Sequence, residues 1–178
     1  IRSERFVRTL MKNQPELGIA EEECIAVIIA GLLHDLGHGP FSHNYEHFLN
    51  KVHSNEPTYS HEMMSVRLID DMLEKYPDIN QIMKEKNINP KLIQQLILGS
   101  IEEVDDSKPY IGWSWDDKIL PKNKHFLYEI VANHRTNIID TDRMDYFIRD
   151  STALGIEIPF KEDMIDTVIN SARVNRKT

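Results

Sequence analysis

Glu21-Glu22-Glu23-Cys24-Ile25-Ala26-Val27-Ile28-Ile29-Ala30-Gly31-Leu32-Leu33-His34-Asp35-Leu36-Gly37 decides the fold. Three glutamates make an acidic first turn, which complements a helix dipole. Ile25 to Leu33 are almost wholly apolar, as in a central helix buried on all sides. Gly37 and Gly39-Pro40 end it, so His34 and Asp35 fall in its last turn. Burying an imidazole and a carboxylate is costly unless each has a partner, and a metal ion is a partner both can share. Two further histidines follow at once, in His38-Gly39-Pro40-Phe41-Ser42-His43.

Working outward, the pattern is helical nearly everywhere, and the expected fold class is all-α. Glu4 to Met11 reads as the end of an amphipathic helix, stopped around Pro15 and Gly18. Ser42 is placed to cap a short helix carrying His43, Glu46 and His47, and residues 51–59 read as a loop. Ser60 caps a helix from His61 to about Lys75, with Met64, Leu68 and Met72 recurring at helical spacing. Pro77 breaks that helix. Asn89-Pro90 starts another, running to Gly99. Residues 100–122, rich in Trp, Pro and acid, read as a long loop inserted at the surface, with room for a short hairpin. Phe126 to Asn133 is helical, Asp140 or Thr141 opens a helix to Leu154, and Phe160 to Arg173 forms the last one.

The 178 residues fit one domain, 1–178, with a sizeable core. The first residue is Ile, so a fragment of a larger catalytic core, truncated at both ends, is expected. A formal charge of -8 argues against non-specific binding to nucleic acid. No apolar run reaches membrane-spanning length. Cys24 is the lone cysteine, which excludes an intrachain disulfide and suits a reducing, intracellular compartment, cytoplasm or nucleus.

Four groups of residues carry chemistry. Imidazole and carboxylate together, as in His34-Asp35, suit Fe, Mn, Zn or Ni, and carboxylates suit Mg; the bland alternative is a core histidine beside a capping Asp. His38 and His43 flank a stiff Gly-Pro stretch. A histidine near a reacting phosphate can give a proton to a departing oxygen, whereas loop histidines can equally be solvated. Glu46, three residues after His43, can orient that ring if the turn is helical, and His61 stands at a helix start. Asp142, Arg143, Tyr146 and Asp150 form an i, i+1, i+4, i+8 set, read either as a phosphate-binding face or as a solvated charged one. His47, His53, His125 and His134 have no comparable context, and Met63, Met64 and Met72 read as core filler.

Assembled, these residues resemble the HD-domain phosphohydrolase superfamily. The likeness is narrower still to the sterile-alpha-motif/HD-domain deoxynucleoside triphosphate triphosphohydrolases. It rests on Ala30 to His43, His61-Glu62, Glu129-Ile130-Val131-Ala132-Asn133, Asp140-Thr141-Asp142-Arg143-Met144-Asp145-Tyr146-Phe147 and Gln14-Pro15-Glu16-Leu17. The resemblance implies an HD-domain helical fold. It implies a divalent metal (Fe, Mn, Zn or Mg) held by His34, Asp35, Asp142 and a further histidine upstream of Ile1. His43 would act at the leaving group, supported by Glu46 and His61, and His38 would contact phosphate. Arg143 and Tyr146 would bind the phosphate chain, with Asp150 near the sugar. Glu46 stands where the animal enzymes carry Asp, and Arg143 where they carry Lys. The implied reaction converts a deoxynucleoside triphosphate to deoxynucleoside and inorganic triphosphate, in a homo-oligomer at full length. Alternatives are another HD-type nucleotidase or phosphodiesterase, and a non-catalytic nucleotide-binding module. All versions that use a metal need residues near 35 and 142 within about 8 Å, since ligand bonds are near 2 Å.

Overall fold

A computed structural model describes residues 2–53, 58–99, 117–132 and 139–175, and every regular element among them is helical. The helices are α1 (Arg2–Asn13), α2 (Glu21–Leu33), α3 (His43–Val52), α4 (His61–Lys75), α5 (Pro77–Glu85), α6 (Pro90–Leu98), α7 (Tyr128–Val131), α8 (Thr141–Leu154) and α9 (Glu162–Ser171). Short 3-10 turns cover Pro15–Leu17 and Lys122–Leu127. No described helix is long and apolar enough to cross a membrane.

The apolar α2 packs against α6 and α1, and α6 packs in turn against α4. Cys24, Ala26, Val27 and Ala30 of α2 are fully buried, with Leu92, Ile93, Leu96, Ile97 and Leu98 of α6 behind them. The expectation of burial on all sides holds for this flank only: Leu32 is 63% exposed, outside the grip of α1 and α6. A second small cluster joins Met144 of α8 to Ile165 and Ile169 of α9, with Phe6 of α1 packed against both clusters. Several buried or largely buried polar groups are paired across elements. Gln94 donates to Asp70 at 2.6 Å, the Tyr128 hydroxyl donates to Gln95 at 2.6 Å, and Lys124 donates to Glu23 at 2.7 Å. The Gln14 side chain bonds both the amide and the carbonyl of Val174, tying the two ends of the described chain together.

Several sequence expectations need correction. Pro77 does not simply end α4; it occupies the first turn of a new helix, α5, where its missing N–H is no loss. α3 continues to Val52, two residues into the expected loop. Ser42 precedes α3, but its side chain makes no capping bond. Ser60, Asn89 and Asp140 do cap their helices, accepting from Met63, Lys91 and Arg143 amides. The inward face of α4 is Ser65, Val66 and Ile69, rotated from the Met64, Leu68, Met72 stripe, and Leu68 is exposed. The segment read as one helix from Phe126 is a 3-10 turn followed by α7, which ends at Val131. The last helix is shorter than expected, Glu162–Ser171. The proposed hairpin within 100–122 lies largely outside the described residues, as do His134 and Asn133.

The reason for the rotated α4 face is a close backbone approach. A Cβ on Gly37 would run into the His61 carbonyl oxygen and the Ser65 amide nitrogen. The Gly37 amide donates to Ser65 Oγ at 2.8 Å, Ser65 donates to the His34 carbonyl at 2.6 Å, and the Tyr59 hydroxyl donates to the Gly37 carbonyl at 2.6 Å. A small hydroxyl residue must face inward here, and the larger Met64 is turned aside. Gly37→Ala should therefore destabilise the protein by about 1–3 kcal/mol, the usual cost of overpacking against unyielding neighbours. Chemical denaturation measures this; a midpoint equal to the parent's would refute the flush contact.

Candidate active site

α2 ends at Leu33, and its C-terminal cap is His34. The His34 Nδ1 contacts the Gly31 carbonyl oxygen at 3.1 Å, which turns Nε2 outward. Nε2 lies 3.3 Å from Asp35 Oδ1 and 3.3 Å from Asp142 Oδ1. Asp142 reaches this point because α8 starts at a well-capped Asp140 and because Thr141 donates to the Ile130 carbonyl at 2.9 Å. The two stretches thus meet well inside the separation that sharing one ion requires. One donor atom from each of His34, Asp35 and Asp142 lies within 4.8 Å of the others. A ring nitrogen aimed by a backbone carbonyl on its other nitrogen is the usual support for a ligating histidine. One imidazole and two carboxylates suit Fe, Mn, Zn or Mg. The three residues therefore fit a divalent cation.

Their titration agrees with close coupling. Burial alone would lower the His34 imidazole, but the Asp142 hydrogen bond and the charges of Asp35 and Asp142 hold it above its ordinary value. Burial alone would raise Asp142, but its bond to His34 and that ring's charge, with His61 and Arg149 further off, hold it below the ordinary value.

A second group adjoins the first. The loop after α2 carries His38, whose Nε2 is 3.5 Å from Asp35 Oδ1. Its ring stacks on His61 with centroids 3.9 Å apart and planes 14° apart. His43 stands edge-on to both, with centroids at 5.0 and 5.2 Å. Glu46, one turn into α3, sends Oε2 to 3.0 Å from His61 Nδ1 and 3.8 Å from His43 Nδ1. His61 Nε2 faces Glu62 Oε1 at 3.4 Å. Burial, then the neighbouring His61, keep His38 below its ordinary value against the opposing pull of Asp35. His43 is delivered by a strained turn: Phe41 and Ser42 both have positive φ, 66° and 51°. Such backbone costs about 1–3 kcal/mol per residue and tends to persist at functional sites. The His43 side chain is 77% exposed, whereas His38 and His61 are mostly covered.

A cavity of about 440 Å³ opens beside the first group, bounded by His34, Asp35, Asp142, Asp145, Arg149 and, from α1, Arg2. Arg143, Tyr146 and Asp150 do not line it. Tyr146 packs on Phe147 with centroids 4.7 Å apart, and Asp150 pairs with Arg149 at 3.1 Å. Sequence reading missed Arg2 and Arg149. The available signal for Arg149 was its i, i+4 spacing from Asp145, where the structure has a 3.5 Å pair. Arg2 contacts Asp145 at 2.5 Å and Glu162 at 2.7 Å, across intervals that no local pattern reveals.

Helical architecture, a histidine–aspartate pair at a helix end and a distant aspartate brought to meet them define a class. Residues 2–150 match the HD domain family, and the chain belongs to it. It is 40% identical to the human deoxynucleoside triphosphate triphosphohydrolase SAMHD1 over 160 residues, covering 87% of this chain and 24% of that protein. It is 41% identical to the Bos taurus protein of the same name over 156 residues, covering 88% of this chain and 26% of that one. The Dictyostelium discoideum homologue of SAMHD1 is 35% identical over 151 residues, covering 85% and 25%. The chain thus spans about a quarter of the length of these relatives.

The coupling has a pH signature in metal-free protein. A raised His34 stabilises the fold fully below its ordinary value of 6.5, and this is lost as pH rises through the raised value. A lowered Asp142 stabilises above 3.8, and this is lost as pH falls through the lowered value. Asp142→Asn should therefore reduce the denaturation midpoint most between these limits, with the gap to the parent narrowing at alkaline and at strongly acid pH. A gap independent of pH would contradict it.

Proposed function

We propose that this chain is the catalytic portion of a metal-dependent hydrolase that converts deoxynucleoside triphosphates to deoxynucleoside and inorganic triphosphate. The observation that carries this reading is the junction of two unlike groups. A carboxylate-rich, cation-fitting set abuts an imidazole-rich set through the 3.5 Å contact of Asp35 with His38. The names of the relatives supply the substrate class.

His34, Asp35 and Asp142 would hold the divalent cation. When bound, such an ion supplies Lewis acidity toward phosphoryl oxygen and a more acidic water. His43 is the proton donor to the departing 5′ oxygen. Its Nδ1 faces Glu46, which leaves Nε2 for the substrate, and its exposure lets a nucleotide reach it. Glu46, 3.8 Å from His43 Nδ1, would set the tautomer of His43 once the two close to hydrogen-bond distance, while His61 holds Glu46 from the other side at 3.0 Å. His38, kept neutral near pH 7 by burial, offers a phosphate oxygen an N–H donor. Arg143 and Tyr146 are assigned to the phosphate chain and Asp150 to the sugar, while Arg2 and Arg149 add cationic groups at the cavity wall. The reading places the protein inside the cell, with a nucleotide rather than nucleic acid as partner.

Two variants of the full-length protein separate the roles. Asp142→Ala should lose the ion held with His34 and Asp35, and turnover with it, as read by elemental analysis and by product release. His43→Ala should keep its metal and lose about 10²–10⁴-fold in turnover, the usual contribution of general acid catalysis; parental turnover would remove His43 from this role. Triphosphate must leave intact. Release of orthophosphate or of nucleoside monophosphate would point to a different HD-type reaction.

A further inference from the structure

We propose that His38, His43, Glu46 and His61 form a second cation site, selective for zinc-class transition ions, whose occupation silences the proton donor. The regulatory consequence rests on the hydrolase reading above; the binding itself does not. One donor atom from each of the four lies within 4.8 Å of all the others. Ligands on a tetrahedral ion with bonds of about 2.0–2.1 Å stand about 3.3 Å apart. The set is thus slightly expanded relative to a bound state, and the exposed His43 ring is the member free to swing inward.

Three further observations favour an ion here. The Nδ1 atom of His38 is buried and has no hydrogen-bond partner. A buried polar atom left so is unfavourable, and coordination through that atom would relieve it. The donor set also differs in kind from its neighbour. Three imidazoles and one carboxylate select Zn, Cu or Ni over Mg, whereas the His34, Asp35, Asp142 set, with two carboxylates, also accepts harder ions. Finally, the parts are held in place before any ion arrives. His38 and His61 are stacked, and Glu46 already bridges toward His61 and His43. Coordination ties up the ring lone pairs that proton transfer needs. A low level of a zinc-class ion should then inhibit a protein whose first site is filled by manganese or magnesium.

The test uses full-length protein stripped of metal and titrated with Co²⁺, followed by visible absorption and elemental analysis. Two ions per chain are expected. Glu46→Gln and His61→Ala should each weaken the second ion by at least about ten-fold, a loss that even an outer-sphere partner can bring, while keeping the first. Asp142→Asn should do the reverse. With Mn²⁺ present, micromolar Zn²⁺ should depress triphosphate release, and a zinc chelator should restore it. A single ion per chain at millimolar Co²⁺ would overturn the proposal, and unvaried protein alone decides that point should a variant fail to fold. A second ion indifferent to both substitutions at Glu46 and His61 would overturn it too. Absence of triphosphate release under every metal would sink the hydrolase reading and leave the two-ion stoichiometry to be judged on absorption alone.

Discussion

The structure around the site depends on one steric constraint, the contact between the loop after α2 and the start of α4. Gly37 lies so close to the α4 backbone that no side chain fits there. That proximity lets Ser65 and Tyr59 satisfy the Gly37 amide and the carbonyls of His34 and Gly37. Each such bond adds only about 0.5–1.5 kcal/mol net, but leaving any of these groups buried and unpaired costs about 1–3 kcal/mol. The turn is therefore held more by the penalty for opening it than by its bonds. His34 enters it, His38 leaves it, and His61 starts the helix it rests on. The cation-fitting set and the imidazole set are adjacent because this one contact is close.

The opposite wall is held differently. Asp142 arrives on α8, which with α9 is tied to α1 by both ion pairs and apolar packing. Arg5–Asp166, from α1 to α9, joins groups that are about half exposed, where a pair adds about 0–1 kcal/mol. Met144, Ile165 and Ile169 are wholly buried beside Phe6. Each such side chain stabilises by about 1.5–3 kcal/mol. The apolar cluster thus supplies most of the adhesion. The ion pairs, Arg2 with Asp145 above all, set the register in which α8 presents Asp142 three residues earlier on the same helix.

Much of this was legible in the residues. The helical class followed from period and caps, and the meeting of His34 and Asp35 with Asp142 followed from chemistry plus resemblance. What stayed hidden has definite causes. α5 is hidden because Pro77 reads as a breaker, although a proline also suits a first helical turn. The face of α4 was misjudged because apolar spacing outweighed Ser65, whose small size is what the Gly37 contact requires. Arg2 could not be found, since its partners lie 143 and 160 residues away. Phe41 and Ser42 gave no hint of positive φ, because that conformation is imposed by the loop rather than favoured by either residue.

Charge explains how an acidic chain can still suit a polyanion. The cavity wall presents the guanidinium groups of Arg2, Arg5 and Arg149 against the carboxylates of Asp35, Asp142, Asp145 and Glu162. With His34 neutral, the acidic groups outnumber the basic ones by one. A divalent cation held by His34, Asp35 and Asp142 would reverse that sign, and loading would be favoured at a pH where His34 is already neutral. The protein's own carboxylates would repel a triphosphate until the ion is in place. On the proposed hydrolase reading, metal and nucleotide binding would be linked, each raising the affinity for the other by the same factor. A separate basic tract is not needed, and a net charge of -8 is compatible with selective binding of a small polyanion at a single cavity.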